Sequence, residues 1–323
     1  MNMSDQILDV DLLAFEKGSE ATRRAVVDGV RRSLATGFVY TSTDISEDLL
    51  DSAYGMLVEF FSKDQETKTS CIAPGAHGQT GYTGLLVETA ASSDKPDWKE
   101  MLNWASPIAA GHPLKRKFPG SYPEQLLPDV VVPGISQVLY EFHDAIAEIQ
   151  KRFLRIIALG IGCHETFFDD MVTDGPTLTR AIRYPSMKGA PQGGHIWAGA
   201  HGDINLITLL LGAEEGGLQL LTRQGEWLSI APPEGALVIN VGDMLERLTN
   251  NQLPSTIHRV LNPPPERRHI PRYSMPFFLH LASDVLIETL PGCIDADHPN
   301  LYPSPITAND FLVQRLIEIG LKT

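Results

Sequence analysis

The sequence predicts a mainly β fold with flanking helices, in which an N-terminal helical region supports a C-terminal jelly-roll core. From Thr177 onward, short β-rich runs follow one another, separated by Gly, Pro and Asn turns and without intervening helices, which is typical of an all-β sandwich or barrel. The first half instead has apolar residues at helical spacing. With 323 residues, 43% of them hydrophobic, the chain can bury a sizeable core.

The N-terminal half is predicted to be helical after one short strand, "ILDVDLLAF" at 7–15. Amphipathic patterns then predict helices at 20–38, 46–64 and 134–162, with Ser19 before the first and Ser46 at the start of the second as capping residues. Between Pro74 and Pro133, frequent Gly and Pro indicate loops with short strands such as "TGYTGLLVE".

The C-terminal half is predicted to contain a succession of strands, in "TLTRAIRYP", "INLITLLLG", "GLQLLTRQGEWLSIAP", "GALVINVG", "STIHRVLNP" and "RYSMPFFLH". "TANDFLVQRLIEIGL" is predicted to close the chain as a helix. We therefore expect three parts: an N-terminal region at 1–175 packing on the core, the jelly-roll core at 176–285, and a tail with a helix at 286–323.

Composition excludes several classes of partner and compartment. The formal net charge of −14, from 26 Lys and Arg against 40 Asp and Glu, disfavours binding to a nucleic acid. Three dispersed cysteines are expected to be reduced thiols. Because no segment has the pattern of a signal peptide or a membrane span, we expect no membrane association and a cytoplasmic location. The sequence does not predict an oligomeric state.

A candidate metal site begins with His201 and Asp203, two residues apart at the start of an apolar run. On a strand, positions i and i+2 share a face, so both side chains could bind one ion; the pair could equally be a polar strand end. Non-haem ferrous oxygenases need two imidazoles and one carboxylate, with the remaining positions open. His258, in the predicted strand "STIHRVLNP", is the candidate for the third ligand.

A candidate carboxylate site lies one strand later, at Arg272 and Ser274 in "RYSMPFF". These residues also share a face, and a guanidinium beside a hydroxyl is suited to a carboxylate held inside a barrel. A surface position for Arg272 is the alternative, but the apolar residues that follow favour burial. Tyr184, in "RAIRYP", could place its phenol against the same ligand.

These residues resemble the isopenicillin N synthase-like branch of the Fe(II)/2-oxoglutarate-dependent dioxygenases. "IRYP", "HGDINLITLLL", "PSTIHRV" and "RYSMPFF" follow in the family's order, with weaker similarity in "ATGFVYTS", "TGYTG" and "DWKEMLNW". The resemblance implies a double-stranded β-helix, iron ligands at His201, Asp203 and His258, and binding of 2-oxoglutarate by Arg272, Ser274 and Tyr184. It also implies oxidation of an unactivated C–H bond of a small metabolite by O2, with release of succinate and CO2. Hydroxylation is the expected outcome, with desaturation and ring closure as variants.

The sequence departs from the family pattern at two places. Ile182 replaces an Asn that many plant members carry two residues before the pocket Tyr. His258 and Arg272 are 14 positions apart (272 − 258), and the Pro-rich "NPPPERRHIP" between them is expected to form a longer hairpin loop. By position relative to the family, the expected substrate pocket comprises Tyr82, Met101, Asn103, Trp197 and Phe278, although each could equally be a core residue.

Two other functions stay open at this point. An iron oxidase of the isopenicillin N synthase type takes all its electrons from the substrate, and the Arg272 and Ser274 pair could then hold a substrate carboxylate. A non-catalytic small-molecule-binding jelly roll is the third hypothesis, and the intact set of candidate ligands disfavours it.

Overall fold

A computed structural model describes residues 6–76, 78–89, 95–190, 197–212 and 216–318. Its helices are α1 (Leu12–Lys17), α2 (Glu20–Leu34), α3 (Glu47–Ser62), α4 (Gln65–Thr69), α5 (Pro113–Lys117), α6 (Ile135–Gly160), α7 (Asp243–Leu248) and α8 (Ala308–Glu318). Its strands are β1 (Asp9–Val10), β2 (Phe38–Thr41), β3 (Gly81–Thr83), β4 (Glu100–Trp104), β5 (Leu178–Tyr184), β6 (Ala198–His201), β7 (Ile207–Leu211), β8 (Leu218–Leu221), β9 (Trp227–Ser229), β10 (Leu237–Val241), β11 (His258–Val260), β12 (Arg272–Leu279), β13 (Leu286–Ile287) and β14 (Ile306–Thr307).

The strands form a jelly roll, as the sequence predicts. An eight-stranded major sheet has the order β1-β2-β10-β7-β12-β5-β4-β3, and a four-stranded minor sheet has the order β6-β11-β8-β9. Buried side chains from both sheets, among them Phe38, Ile182, Leu218 and Val260, form an inner core between them. Strands β13 and β14 pair separately.

The helices pack on the outer face of the major sheet and form a second, outer core with it. Helix α6 buries Leu139, Phe142, Ile146 and Phe153 there. On the same helix Gln150, which is fully buried, donates from Nε2 to the carbonyl oxygens of Ile207 in β7 (3.3 Å) and Phe277 in β12 (3.2 Å). Helix α6 is thereby fixed against the strands that also form one wall of the inner core.

Two local expectations were wrong, and one strand was not located from the sequence. Within 7–15 only β1 is a strand, because the side chain of Asp11 accepts a hydrogen bond from Ala14 N (3.0 Å) and caps the start of α1. In the stretch expected to contain loops with short strands, the unlocated strand is β4 in "EMLNW", which pairs with β5. The connection from β11 to β12 is no hairpin, since β11 belongs to the minor sheet and β12 to the major sheet.

Strands from the N-terminal region extend both sides of the major sheet. Strands β1 and β2 join at β10, and β4 and β3 join at β5. The boundaries expected at 175 and 285 stay a prediction. Among the described residues, no helix combines the length and apolar character needed to span a bilayer.

Candidate metal and cosubstrate site

A cavity opens between the two sheets. Strands β5, β7, β10 and β12 of the major sheet form one wall, and β6, β8 and β11 of the minor sheet form the other. The site residues predicted from the sequence lie at two places in this cavity: the cluster of His201, Asp203 and His258, and the pair of Arg272 and Ser274. The structure therefore brings together residues that are up to 73 positions apart in the sequence (274 − 201).

The first cluster is formed where β6 ends beside β11. His201 and His258 are paired across these two antiparallel strands, and their ring centroids are 4.5 Å apart. Asp203 lies two residues beyond His201, and its Oδ1 is 4.0 Å from His201 Nε2 and 3.8 Å from His258 Nε2. One ligand atom from each of the three residues lies within 4.8 Å of the others. Two imidazoles and one carboxylate are the donor set typical of non-haem Fe(II) sites.

Hydrogen bonds orient all three side chains towards a common point. The Nδ1 atoms of His201 and His258 lie 2.7 and 3.1 Å from the carbonyl oxygens of Gly199 and Thr256. Since a carbonyl can only accept, each Nδ1 carries the proton and each Nε2 keeps its lone pair free for a metal. This arrangement fits a ferrous ion on chemical grounds.

The carboxylate of Asp203 is held from its other side. Its Oδ2 accepts hydrogen bonds from Thr208 Oγ1 (2.6 Å) and Asn240 Nδ2 (2.8 Å), so Oδ1 alone faces the imidazoles. Burial acts to raise the pKa of Asp203, but the two imidazoles and these hydrogen bonds outweigh it, and the pKa is lowered. The pKa of His201 is lowered to about 4 by desolvation and by the adjacent His258, although 42% of its side chain is exposed at the rim.

The loop that carries Asp203 is anchored to the start of α7. The backbone nitrogen of Asp243 donates to the carbonyl oxygen of Asp203 (2.8 Å), and Ser255 Oγ donates to the same oxygen (3.4 Å). The carboxylate of Asp243 in turn accepts from Arg315 Nε in the C-terminal helix α8 (3.0 Å). A chain of contacts therefore runs from α8 to the candidate metal site.

The second polar place is centred on Arg272. It is paired across the strands with Tyr184, while Ser274 is paired with Ile182. Arg272 is 2% exposed, its guanidinium carbon lies 5.1 Å from the centroid of the Tyr184 ring, and no hydrogen-bond partner for Nε or Nη1 occurs among the described residues. Buried guanidinium nitrogens without a partner are costly, and a carboxylate ligand would satisfy them.

Sequence reasoning missed a group of charged residues beside this place. Lys99 and Arg180 line the cavity, and Glu88 and Asp97 lie next to them. The sequence did contain a signal for a strand here. At a two-residue period, Lys99 and Asn103 fall on one face, and Glu100 and Trp104 fall on the other.

The five residues expected in the substrate pocket lie at different depths. Phe278 is in the cavity wall, and Asn103 Oδ1 accepts from Arg180 Nε (2.8 Å). Met101 and Trp197 are buried in the inner core, where Trp197 packs against Tyr184 with the ring centroids 5.2 Å apart.

Tyr82 faces the helix side of the major sheet instead of the cavity. It is paired with Leu102 and donates to Glu100 Oε2 (2.5 Å), and all three residues share the outer face with α4. Because the direction of side chains alternates along a strand, the neighbouring residues Met101 and Asn103 take the inner face. A substrate role for any of the five stays a prediction.

The chain is similar in sequence to known proteins over most of its length. The sequence model of the 2OG-Fe(II) oxygenase superfamily matches residues 176–281, and that of the N-terminal region of non-haem dioxygenases in morphine synthesis matches residues 7–128. The chain is 31% identical to the 2-oxoglutarate-Fe(II) type oxidoreductase hxnY of Emericella nidulans, over 94% of this chain and 87% of the relative.

Solved structures are similar over almost the whole chain. A crystal structure of a 2OG-Fe(II) oxygenase family protein from Caulobacter crescentus is 41% identical, with a TM-score of 0.87 over 98% of this chain and 99% of that one. A crystal structure of a full-length Neurospora crassa protein in complex with alpha-KG and thymine is 27% identical, with a TM-score of 0.83 over 98% of both chains.

Proposed function

The chain belongs to the 2OG-Fe(II) oxygenase superfamily, and from this premise we propose that it hydroxylates an unactivated C–H bond of a small metabolite at the cavity between its sheets. It is a 2-oxoglutarate- and Fe(II)-dependent dioxygenase. The observation that carries the residue assignment is the convergence of His201 Nε2, His258 Nε2 and Asp203 Oδ1 at one end of the cavity.

In this proposal His201, Asp203 and His258 hold the iron. The carbonyls of Gly199 and Thr256 keep both imidazoles in the tautomer that presents Nε2. Three protein ligands would leave the remaining positions of a bound ion open to the cosubstrates.

Arg272 and Ser274 bind the distal carboxylate of 2-oxoglutarate, with Tyr184 completing the site. The support is the burial of Arg272 together with two nitrogen atoms that have no partner among the described residues. An isopenicillin N synthase type of oxidation, without 2-oxoglutarate, and a non-catalytic role are both less well supported, because the curated relatives are named as 2-oxoglutarate-dependent enzymes.

O2 would be the oxidant: iron, when bound, would activate it, with two electrons supplied by 2-oxoglutarate, which is converted to succinate and CO2, and two by the substrate. The protein contributes the positioning of the reactants. Its two sheets enclose the cavity, apolar side chains such as Leu210, Leu218 and Val260 limit the access of water, and the ligand set fixes where oxidation takes place. A substrate placed against Phe278 would lie at the end of the cavity that holds Asp203, because Phe278 is paired with Thr208, which donates to that carboxylate.

We also propose that the enzyme works on a free small molecule in the cytoplasm and binds no nucleic acid. The net charge of −14 and the three unpaired cysteines support this proposal.

Succinate release from 2-oxoglutarate with ferrous iron under air tests the proposed function. We expect slow release even without a prime substrate, and none after His201→Ala, which should also abolish ferrous binding in an anaerobic titration. His298→Ala is the matched control, because His298 is exposed and its side chain pairs with Asp295 in a surface loop. Retained iron affinity and turnover in His201→Ala would refute the ligand assignment, and absence of both 2-oxoglutarate binding and succinate release in the wild type would refute the proposed function.

A further inference from the structure

The cavity contains two arginines in opposite electrostatic situations. Arg272 has no carboxylate partner among the described residues, whereas Arg180 lies 3.5 Å from Glu88 through its Nη1. Both side chains line the same space, on neighbouring strands of the major sheet. One arginine therefore lacks a counter-ion that the protein supplies to the other.

The surroundings of Arg180 form a charge-balanced group. Lys99 Nζ lies 3.1 Å from Glu88 Oε2 and 2.9 Å from Asp97 Oδ2, so two cations face two carboxylates. The side chains of all four residues are at most 16% exposed. Burial acts to raise the pKa of Glu88, but Arg180 and Lys99 lower it to about 2, so the carboxylate stays charged.

The backbone around Glu88 holds this carboxylate in place. The carbonyl oxygen of Glu88 accepts from Asp97 N (2.9 Å), which ties the two acidic residues together. Two residues earlier, Leu86 has a φ of 61°, in the left-handed region that a bulky side chain adopts only at a cost. This strained residue therefore lies in the segment that positions Glu88 beside Arg180.

Arg180 keeps donor capacity for a ligand. Its Nε donates to Asn103 Oδ1 (2.8 Å), which fixes the plane of the guanidinium, and the residue lines the cavity. The ring of Phe278 lies beside it, with its centroid 5.6 Å from the guanidinium carbon. A ligand here meets a hydrogen-bond donor and an aromatic face, in surroundings whose charge is already balanced.

We propose that the prime substrate is an uncharged molecule that presents a carbonyl-type oxygen to Arg180 and an apolar face to Phe278, and that Glu88 excludes anionic substrates from this subsite. The inference rests on the proposed function, which assigns the anionic cosubstrate to Arg272. An anion at Arg180 would have to leave water without gaining a net opposite charge, whereas a neutral carbonyl pays a much smaller desolvation cost.

Anaerobic titrations with matched ring compounds test this preference. The probes are thymine and uracil-5-carboxylate, nicotinamide and nicotinate, and benzamide and benzoate, each pair sharing one ring and differing in charge. Binding is followed by the change in the visible charge-transfer band of the ferrous 2-oxoglutarate complex. We expect the wild type to bind at least one neutral compound, at least tenfold more tightly than its anionic counterpart.

Two variants test whether Glu88 and Arg180 cause the preference for neutral over anionic compounds. Glu88→Gln should shift the ratio of neutral to anionic affinity at least tenfold towards the anion, and this ratio is unaffected by any loss of folded protein. Glu124→Gln is the matched control, because it removes the same charge from an exposed side chain. Arg180→Gln should weaken binding of the neutral compound at least tenfold, while the affinity for 2-oxoglutarate stays within twofold.

The outcomes separate the two proposals. Tighter binding of the anionic members, no binding of any neutral member, or an unchanged ratio in Glu88→Gln would overturn the neutral-substrate inference alone, provided that the charge-transfer band forms. Failure of the wild type to form the band with iron and 2-oxoglutarate would overturn the proposed function, and this inference with it.

Discussion

Replacement of Arg272 by Met should change stability and cosubstrate affinity in opposite directions. In the protein without ligand, Arg272 is buried with Nε and Nη1 unpaired among the described residues. An unsatisfied buried donor costs about 1–3 kcal/mol, so removing the guanidinium should leave stability unchanged or raise it by about 2 kcal/mol. If Arg272 binds 2-oxoglutarate as proposed, with two charge-assisted hydrogen bonds of about 1.5–3 kcal/mol each, the same change would remove both. At about 1.4 kcal/mol per tenfold, affinity should fall roughly a thousandfold.

Thermal unfolding with and without 2-oxoglutarate measures both effects in one assay. At a hundred times its Kd, the ligand should stabilise the wild type by about 2.7 kcal/mol, and Arg272→Met should show no such gain. Arg183→Met is the matched control. Arg183 lies on the other face of the adjacent strand and donates to the buried carboxylate of Glu100, so its loss should destabilise the protein by about 2 kcal/mol. The reasoning would be refuted if Arg272→Met were destabilised as much as the control and still gained stability from 2-oxoglutarate.

Three further predictions concern the surroundings of the candidate metal site and the buried histidines. Asn240→Ala removes one of two hydrogen bonds that orient Asp203, and should weaken ferrous binding about tenfold in an anaerobic titration. Arg315→Gln frees the carboxylate of Asp243 and should weaken ferrous binding severalfold, with 2-oxoglutarate affinity in the iron-loaded protein unchanged. Burial lowers the pKa of His280 from 6.5 to about 4, so the unfolded state binds the extra proton between these values. Stability should therefore fall by about 3 kcal/mol for this residue as the pH drops from about 6.5 to 4, and His280→Asn should flatten the measured slope by up to one proton.

Each of these predictions has a matched control and a contrary outcome. Asn300→Ala and Arg24→Gln make the corresponding changes at exposed positions and should leave ferrous binding unchanged. Equal losses of metal affinity in these controls would show a general effect on the fold instead of positioning of Asp203. For the pH prediction, the exposed His298 serves as the control, and a His280→Asn slope identical to that of the wild type would contradict the assignment of the low pKa.

The sequence was most informative where one local pattern determines both conformation and direction of side chains. The strands of the C-terminal half alternate or are continuously apolar, and period two placed His201 with Asp203 and Arg272 with Ser274. Strand β4 escaped prediction because it is stabilised by pairing with β5, about 80 residues away, in a stretch rich in Gly and Pro. Its register could not be read locally, and a shift of one residue exchanges the two faces. For the same reason Tyr82, expected in the substrate pocket, lies on the helix side of the sheet.

The charge-balanced group around Arg180 shows a second limit of sequence reasoning. Glu88, Lys99 and Arg180 are spread over 92 positions (180 − 88), and the chain offers 40 carboxylates to 26 basic side chains. No spacing rule selects which of them meet, because the contacts depend on how the sheet is assembled. The candidate metal ligands could be predicted from the sequence because metal binding requires particular residue types, whereas almost any acidic and basic side chain can form an ion pair.

The placement of N-terminal strands at both sides of the major sheet has a consequence for how the protein is made. Strand β2 is hydrogen-bonded to β10, about 200 residues later in the chain, and β4 to β5, about 80 residues later. Helices α1 to α6 and their strands therefore leave the ribosome before the sheet they cover exists. Their apolar faces stay uncovered until the C-terminal half has been synthesised. Such long-range pairing is slow, and the uncovered chain is prone to aggregate meanwhile. Nascent chains stalled near residue 175 should consequently be the form of this protein that depends most on chaperones.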